Sequence, residues 1–172
     1  MPDGRSLDPE TLYERDFYAW TQDQAARLRE LDGDNRLDIA HLAEEIADLG
    51  KSDKRALESY LTEALKHLCK ASAARSDDPV RHWMGETRTH LRHARKILEQ
   101  SPSLKAKTDL AALWADALGE ANGDLRDYGD PPLPATLCCP FDLDGLIAPD
   151  FEPWEGRAAI QHAAAHPGDG SA

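Results

Sequence analysis

The sequence predicts an all-α fold: an up-and-down bundle of about five antiparallel helices, closed by an extended C-terminal arm containing one short helix. Three observations carry that expectation. Apolar residues recur at spacings of three and four through five stretches. Period-two alternation, the mark of a half-buried strand, never lasts five residues. The stretches are separated by short breaks rich in Gly, Pro, Ser and Asp, and short connections favour antiparallel neighbours.

The first helix carries Tyr13, Phe17, Trp20, Leu28 and Leu31 on one face over about five turns. Asp8 is its expected cap and Pro9 its first residue, where a missing N–H costs nothing. Gly33, among Asp32, Asp34 and Asn35, reads as a turn. The second stripe is Ile39, Leu42, Ile46 and Leu49, with Asp38 as cap and Gly50 as a left-handed stop. Ser52 or Asp53 opens the third, with Leu57, Leu61, Ala64, Leu65 and Leu68, running to about Arg75 before Asp77-Asp78-Pro79. The fourth carries Val80, Met84, Thr87, Leu91, Ala94 and Leu98, with Trp83 on its flank, and stops at Ser101-Pro102-Ser103. The fifth, about Leu104 to Leu125, turns Leu110, Leu113, Trp114 and Leu118 inward.

Between Tyr128 and Trp154, six prolines exclude a long helix, yet Phe141, Leu143, Leu146, Ile147, Phe151 and Trp154 are too apolar for a loose tail. The expectation is an arm lying across the bundle, burying those side chains and forming one helical turn capped by Asp142. Residues from Gly156 onward read as disordered. This gives one domain over residues 9–154, with 1–8 and 155–172 as flexible termini.

The chain has 172 residues, 41% of them hydrophobic, and a mean hydropathy of −0.62, which supports one buried core and no membrane span. Residues 1–8 lack the cationic start and apolar stretch of a secretory signal. Three cysteines, two of them adjacent (Cys138 and Cys139), make neither a disulfide framework nor a CxxC knuckle. A cytoplasmic protein is the expectation. The formal charge of −12 hides an asymmetry: residues 1–50 carry −8, residues 51–107 carry +6, and residues 108–172 carry −10.

Several segments together resemble a known family. They are Leu12-Tyr13-Glu14-Arg15-Asp16-Phe17-Tyr18-Ala19-Trp20, Leu42-Ala43-Glu44-Glu45-Ile46 with Leu49-Gly50, His67-Leu68-Cys69-Lys70, Trp83, Ser101-Pro102-Ser103-Leu104, and Cys139-Pro140-Phe141 leading to Asp150-Phe151. In that order, over residues 12–153, the chain resembles the bacterial helical family catalogued as domain of unknown function 29. The resemblance implies an all-helical fold and brings no catalytic residue. Ala71 stands where the family usually has Trp, and His90 and Leu91 replace more polar residues.

The sharpest chemical pattern is a repeated pair at four-residue spacing: His41 with Glu45, Glu63 with His67, and Glu86 with His90. Such pairs share a helix face and can converge on an ion. On a helical wheel Glu45 and His90 stand about 80° from their apolar stripes, at the core's edge. Glu45, His67 and His90 are therefore the expected ligands if a divalent metal binds; otherwise no cofactor is expected. The ferritin-like Glu-x-x-His spacing is absent. Glu44 beside Glu45 points about 100° away, which suits pairing with a basic residue better than a shared-proton dyad.

Lys70 and Arg92, with other basic residues of the third and fourth helices, could form an electropositive stripe, with Trp83 as a stacking platform for a base. The overall acidity weighs against nucleic acid as partner, and a lone Trp at helical spacing reads first as core. With no catalytic grouping in view, the leading expectation is a non-enzymatic interaction module. Its partner would be another protein or a second copy, met through the aromatic first helix or the arm. A metal-dependent bundle enzyme is the alternative, and a nucleic-acid-associated protein the second.

Overall fold

The computed structural model describes residues 9–31 and 37–166. The expected cap at Asp8, the turn around Gly33 and the tail beyond residue 166 lie outside the described residues. All regular structure within them is helical, and no strand occurs among them. The elements are α1 (Pro9–Arg15), α2 (Phe17–Glu30), α3 (Ile39–Ala73), α4 (Asp77–Gln100), a 3-10 helix η1 (Pro102–Lys107), α5 (Leu110–Tyr128), α6 (Leu143–Ile147) and α7 (Pro153–Ala165). They make two compact units: Met1–Leu57 with Lys96–Lys107, and Glu58–Arg95 with Thr108–Ala172.

In the first unit, the single five-turn helix expected at the start is two helices. Asp16 interrupts it with extended backbone, and its carboxylate accepts the Ala19 N–H (2.9 Å) to cap α2. The same carboxylate accepts from Ser103 N–H (2.8 Å) and Ser103 hydroxyl (3.0 Å), and Ser101 Oγ accepts the Tyr18 N–H (3.2 Å). One side chain thus caps α2 and fastens η1 to it.

The second and third expected helices are one. α3 runs without interruption for 35 residues, and Gly50 is no stop: among the described residues only Gly129 has positive φ. Gly50 is there because α2 crosses it. A Cβ at Gly50 would collide with Thr21 Oγ1 and come within 3.0 Å of Gln22 Nε2. The crossing is lined by small side chains, with Thr21, Ala25, Ala43 and Ala47 all buried. Thr21 is β-branched, stiff, and held by its hydroxyl donating to Tyr18 O (2.7 Å). Gly50→Ala is therefore expected to overpack the crossing, at about 1–3 kcal/mol, against about 1 kcal/mol gained in helix propensity. A lowered urea midpoint would register the net loss, and Thr21→Ala in the same chain should restore most of it.

The second unit buries most of what the spacing put inside, namely Leu61, Ala64, Leu65, Leu68, Met84, Leu91, Trp114 and Leu118, whereas Leu110 and Leu113 are only half-buried. α5 begins later than expected, with Asp109 accepting the Ala112 N–H (3.1 Å) as cap. It ends at Gly129 (φ 76°), where Asp130 N–H donates to Leu125 O (2.8 Å). The proline-rich arm is then pinned to α5 by side chains instead of a ladder. Asn122 exchanges two hydrogen bonds with the Leu133 backbone (2.9 and 2.8 Å), and Trp114 Nε1 donates to Leu137 O (2.7 Å). Asp142 caps α6 as expected, accepting from Gly145 N–H (2.6 Å). Of the six apolar arm residues, Leu146 is buried, four are half-buried, and Trp154 is 45% exposed, against the expectation of burial.

Residues 155–165 are not a flexible tail; they belong to α7. Arg157 Nε donates to Ala71 O (2.9 Å) and Gln161 Nε2 to Ser72 O (3.1 Å), satisfying carbonyls that the end of α3 leaves open. Ile160 is fully buried. A helix anchored by one isoleucine, small residues and two polar caps shows no apolar stripe, so spacing alone could not reveal it.

Candidate functional site

Of the three expected ligands, the structure unites two. His67 on α3 and His90 on α4 stack with ring centroids 5.7 Å apart and planes 15° from parallel. Glu45 is exposed, in the first unit, and stands about six turns earlier on the same helix than His67. Its place beside the imidazoles is taken by Glu63: Glu63, His67 and His90 each present one ligand-type atom within 4.8 Å of the others. The Glu63–His67 pair was visible in the sequence. Glu45 stood out only because α3 was read as two helices.

Around the cluster the charges are paired. Glu63 Oε1 accepts from Lys66 Nζ (2.6 Å), which also reaches Glu120 (3.2 Å), while Glu63 Oε2 faces His67 Nε2 at 3.9 Å. Glu86 Oε2 stands 3.8 Å from His90 Nε2. Tyr60 meets the rings of His90 (5.9 Å) and His93 (4.9 Å). The Nδ1 atoms of both His67 and His90 are buried without a hydrogen-bond partner. Burial above all, then the Lys70 ammonium, pushes the His67 imidazole down to about 4, so it is neutral near pH 7 with a free lone pair. Glu63 also lines a cleft of about 480 Å³ with Glu58, Asp116 and Glu120.

The expected electropositive stripe is reduced. Lys70 is buried, its Nζ 2.7 Å from Asp124 Oδ2 and over the rings of Trp83 (4.8 Å) and Tyr128 (5.8 Å). Trp83 is itself buried, so it offers no open face for a base, although Arg92 is exposed. The cause is local: Asp124 of α5 and the two aromatic faces give a desolvated ammonium a partner on each side. Glu44 is exposed, without the basic partner expected for it among the described contacts. Cys69 is buried and its thiol pushed up to about 12, chiefly by desolvation; Cys138 is exposed, and all three cysteines are free.

The first unit contributes a second feature. Seven large hydrophobic residues are exposed among the described residues, and five of them (Tyr13, Leu31, Leu37, Leu42 and Leu49) lie in this unit. Leu42 (41% exposed) and Leu49 (53%) are two turns apart on α3, where the sequence predicts an inward face. The close crossing at Ala43, Ala47 and Gly50 takes the inward position, which rotates the leucines outward. Asp38, Glu45 and Asp48 border them, all exposed, Asp38 paired with His41 (2.6 Å) and Asp48 with Lys51 (2.7 Å), and no Lys or Arg lies between residues 37 and 50. The aromatic first helix turns partly on itself: the Tyr13, Phe17 and Trp20 rings meet at 4.8–5.9 Å.

Fold and site thus define an all-helical protein with a Glu–His–His cluster and an acid-bordered apolar face. Over residues 12–152 the chain matches the family described as domain of unknown function DUF29, and it belongs to that family. It is similar to an α-helical protein of unknown function from Rhodospirillum rubrum, known from its crystal structure. The two are 27% identical with a TM-score of 0.75, over 85% of this chain and 95% of that one. No curated protein matches the chain. Among the described residues no helix is long and apolar enough to cross a membrane.

Proposed function

We propose that this chain is a non-enzymatic interaction module whose docking face is the outward stripe of α3 around Leu42 and Leu49. The observation that supports it is the inversion on α3: small residues face α2 while two leucines, two turns apart, face outward. Apolar side chains on one helix face suit a partner helix laid along them. The acidic border selects the partner's chemistry: an amphipathic helix whose leucine stripe is flanked by Lys or Arg. A second copy of the same face would set acid against acid. Three cysteines without a disulfide fit a reducing compartment, the cytoplasm, as its place of work.

The test is a labelled helical peptide with leucines at i, i+3, i+4 and i+7 and lysines at their flanks, followed by anisotropy. Binding is expected, weaker as salt rises, and weaker by at least about tenfold for Leu42→Asp/Leu49→Asp. Absence of binding, or binding indifferent to the double substitution, overturns the proposal. So does a wild-type dimer in sedimentation that the double substitution dissociates, since a second copy would then be the occupant.

A further inference from the structure

Glu63, His67 and His90 converge from two helices without any structural duty that requires all three. The geometry points to a metal centre: we propose that these residues hold one divalent first-row transition-metal ion, of the zinc or iron(II) class. Two imidazoles and one carboxylate suit those ions, whereas magnesium and calcium prefer all-oxygen sets.

The donors stand in nearly the right places. His67 Nε2 and Glu63 Oε2 are 3.9 Å apart, and ligand atoms on a tetrahedral ion are separated by about 3.3 Å, so rotamer adjustments close the gap. The Nδ1 of each ring is buried with no hydrogen-bond partner, so no hydrogen bond through that atom fixes either imidazole against turning toward an ion. Glu63 can leave Lys66 without orphaning it, because Glu120 also holds that ammonium. Lys70, the other nearby cation, is neutralised by Asp124. Three protein donors leave a position for water or for an acidic group of a partner.

The experiment uses the full chain without a histidine tag, stripped with chelator and titrated with Zn²⁺ in a calorimeter, then with Co²⁺ in a spectrophotometer. One saturable equivalent is expected, with the visible bands of Co²⁺ in a low-symmetry site and a rise in Tm on loading. Glu63→Gln and His90→Gln should each weaken binding by at least about tenfold and abolish the Tm response. Their far-ultraviolet dichroism should stay unchanged, and the half-exposed Glu63 is the gentler substitution. His41→Gln, an exposed histidine of the first unit, should leave binding as it was. No saturable binding, or affinity untouched by Glu63→Gln and His90→Gln, overturns the centre. These readouts are independent of peptide docking, so each idea can fail alone.

Discussion

Asp16→Ala is expected to destabilise the first unit by about 3 kcal/mol, measured as a lowered urea midpoint. Its carboxylate accepts three hydrogen bonds, from Ala19 N–H, Ser103 N–H and Ser103 Oγ. Loss of an N-cap alone costs about 1 kcal/mol. Hydrogen bonds to a charged acceptor contribute about 1.5–3 kcal/mol each, and the Ser103 N–H would be left in a half-buried place without an acceptor. Asp16→Asn keeps one acceptor oxygen and should lose only part of this. If Asp16→Ala proves neutral, the carboxylate is not what fastens η1 to α2. Ser103→Ala, which removes only one bond, should lie well below Asp16→Ala.

Asp124→Ala is expected to cost the second unit about 2 kcal/mol, while Lys70→Met should be close to neutral. The Lys70 ammonium is desolvated, and Asp124 is its anionic partner at 2.7 Å. Removing one member of a buried pair costs about 3–5 kcal/mol, because a charge is stranded. Asp124 is 42% exposed, and water screening reduces that cost. Methionine keeps the stem's contact with Trp83 and strands nothing, since Asp124 reaches solvent. The double variant should therefore be more stable than Asp124→Ala alone. An equal loss for Lys70→Met and Asp124→Ala would show that the pair itself, and not the stranded charge, carries the energy.

Spacing was a sound guide wherever large side chains meet large side chains. The stripes through Leu61–Leu68 and Val80–Leu91 lie buried as written, as does the Trp114–Leu118 step of α5. It misled where helices approach through small residues. Gly50 as a stop and Gly50 as a close contact look identical in one dimension, since glycine serves both ends and the deciding atom is Thr21, 29 positions earlier. The same error placed Glu45 beside His67 and His90 and turned Leu42 and Leu49 inward. Asp16 was hidden because a cap in the middle of an aromatic run resembles a solvated acid. Asn122 was invisible because its partner is the backbone of a proline-rich arm, which has no periodicity to read.

The match to the family stops at residue 152, one position before α7 begins. Trimming the gene to that recognised stretch would discard Arg157, Gln161 and Ile160. The terminal carbonyls of Ala71 and Ser72 would then meet bulk water, and the hollow filled by Ile160 would be bare. The recognisable region and the folding unit differ by one helix here, and recombinant versions of the protein are best ended beyond Ala165.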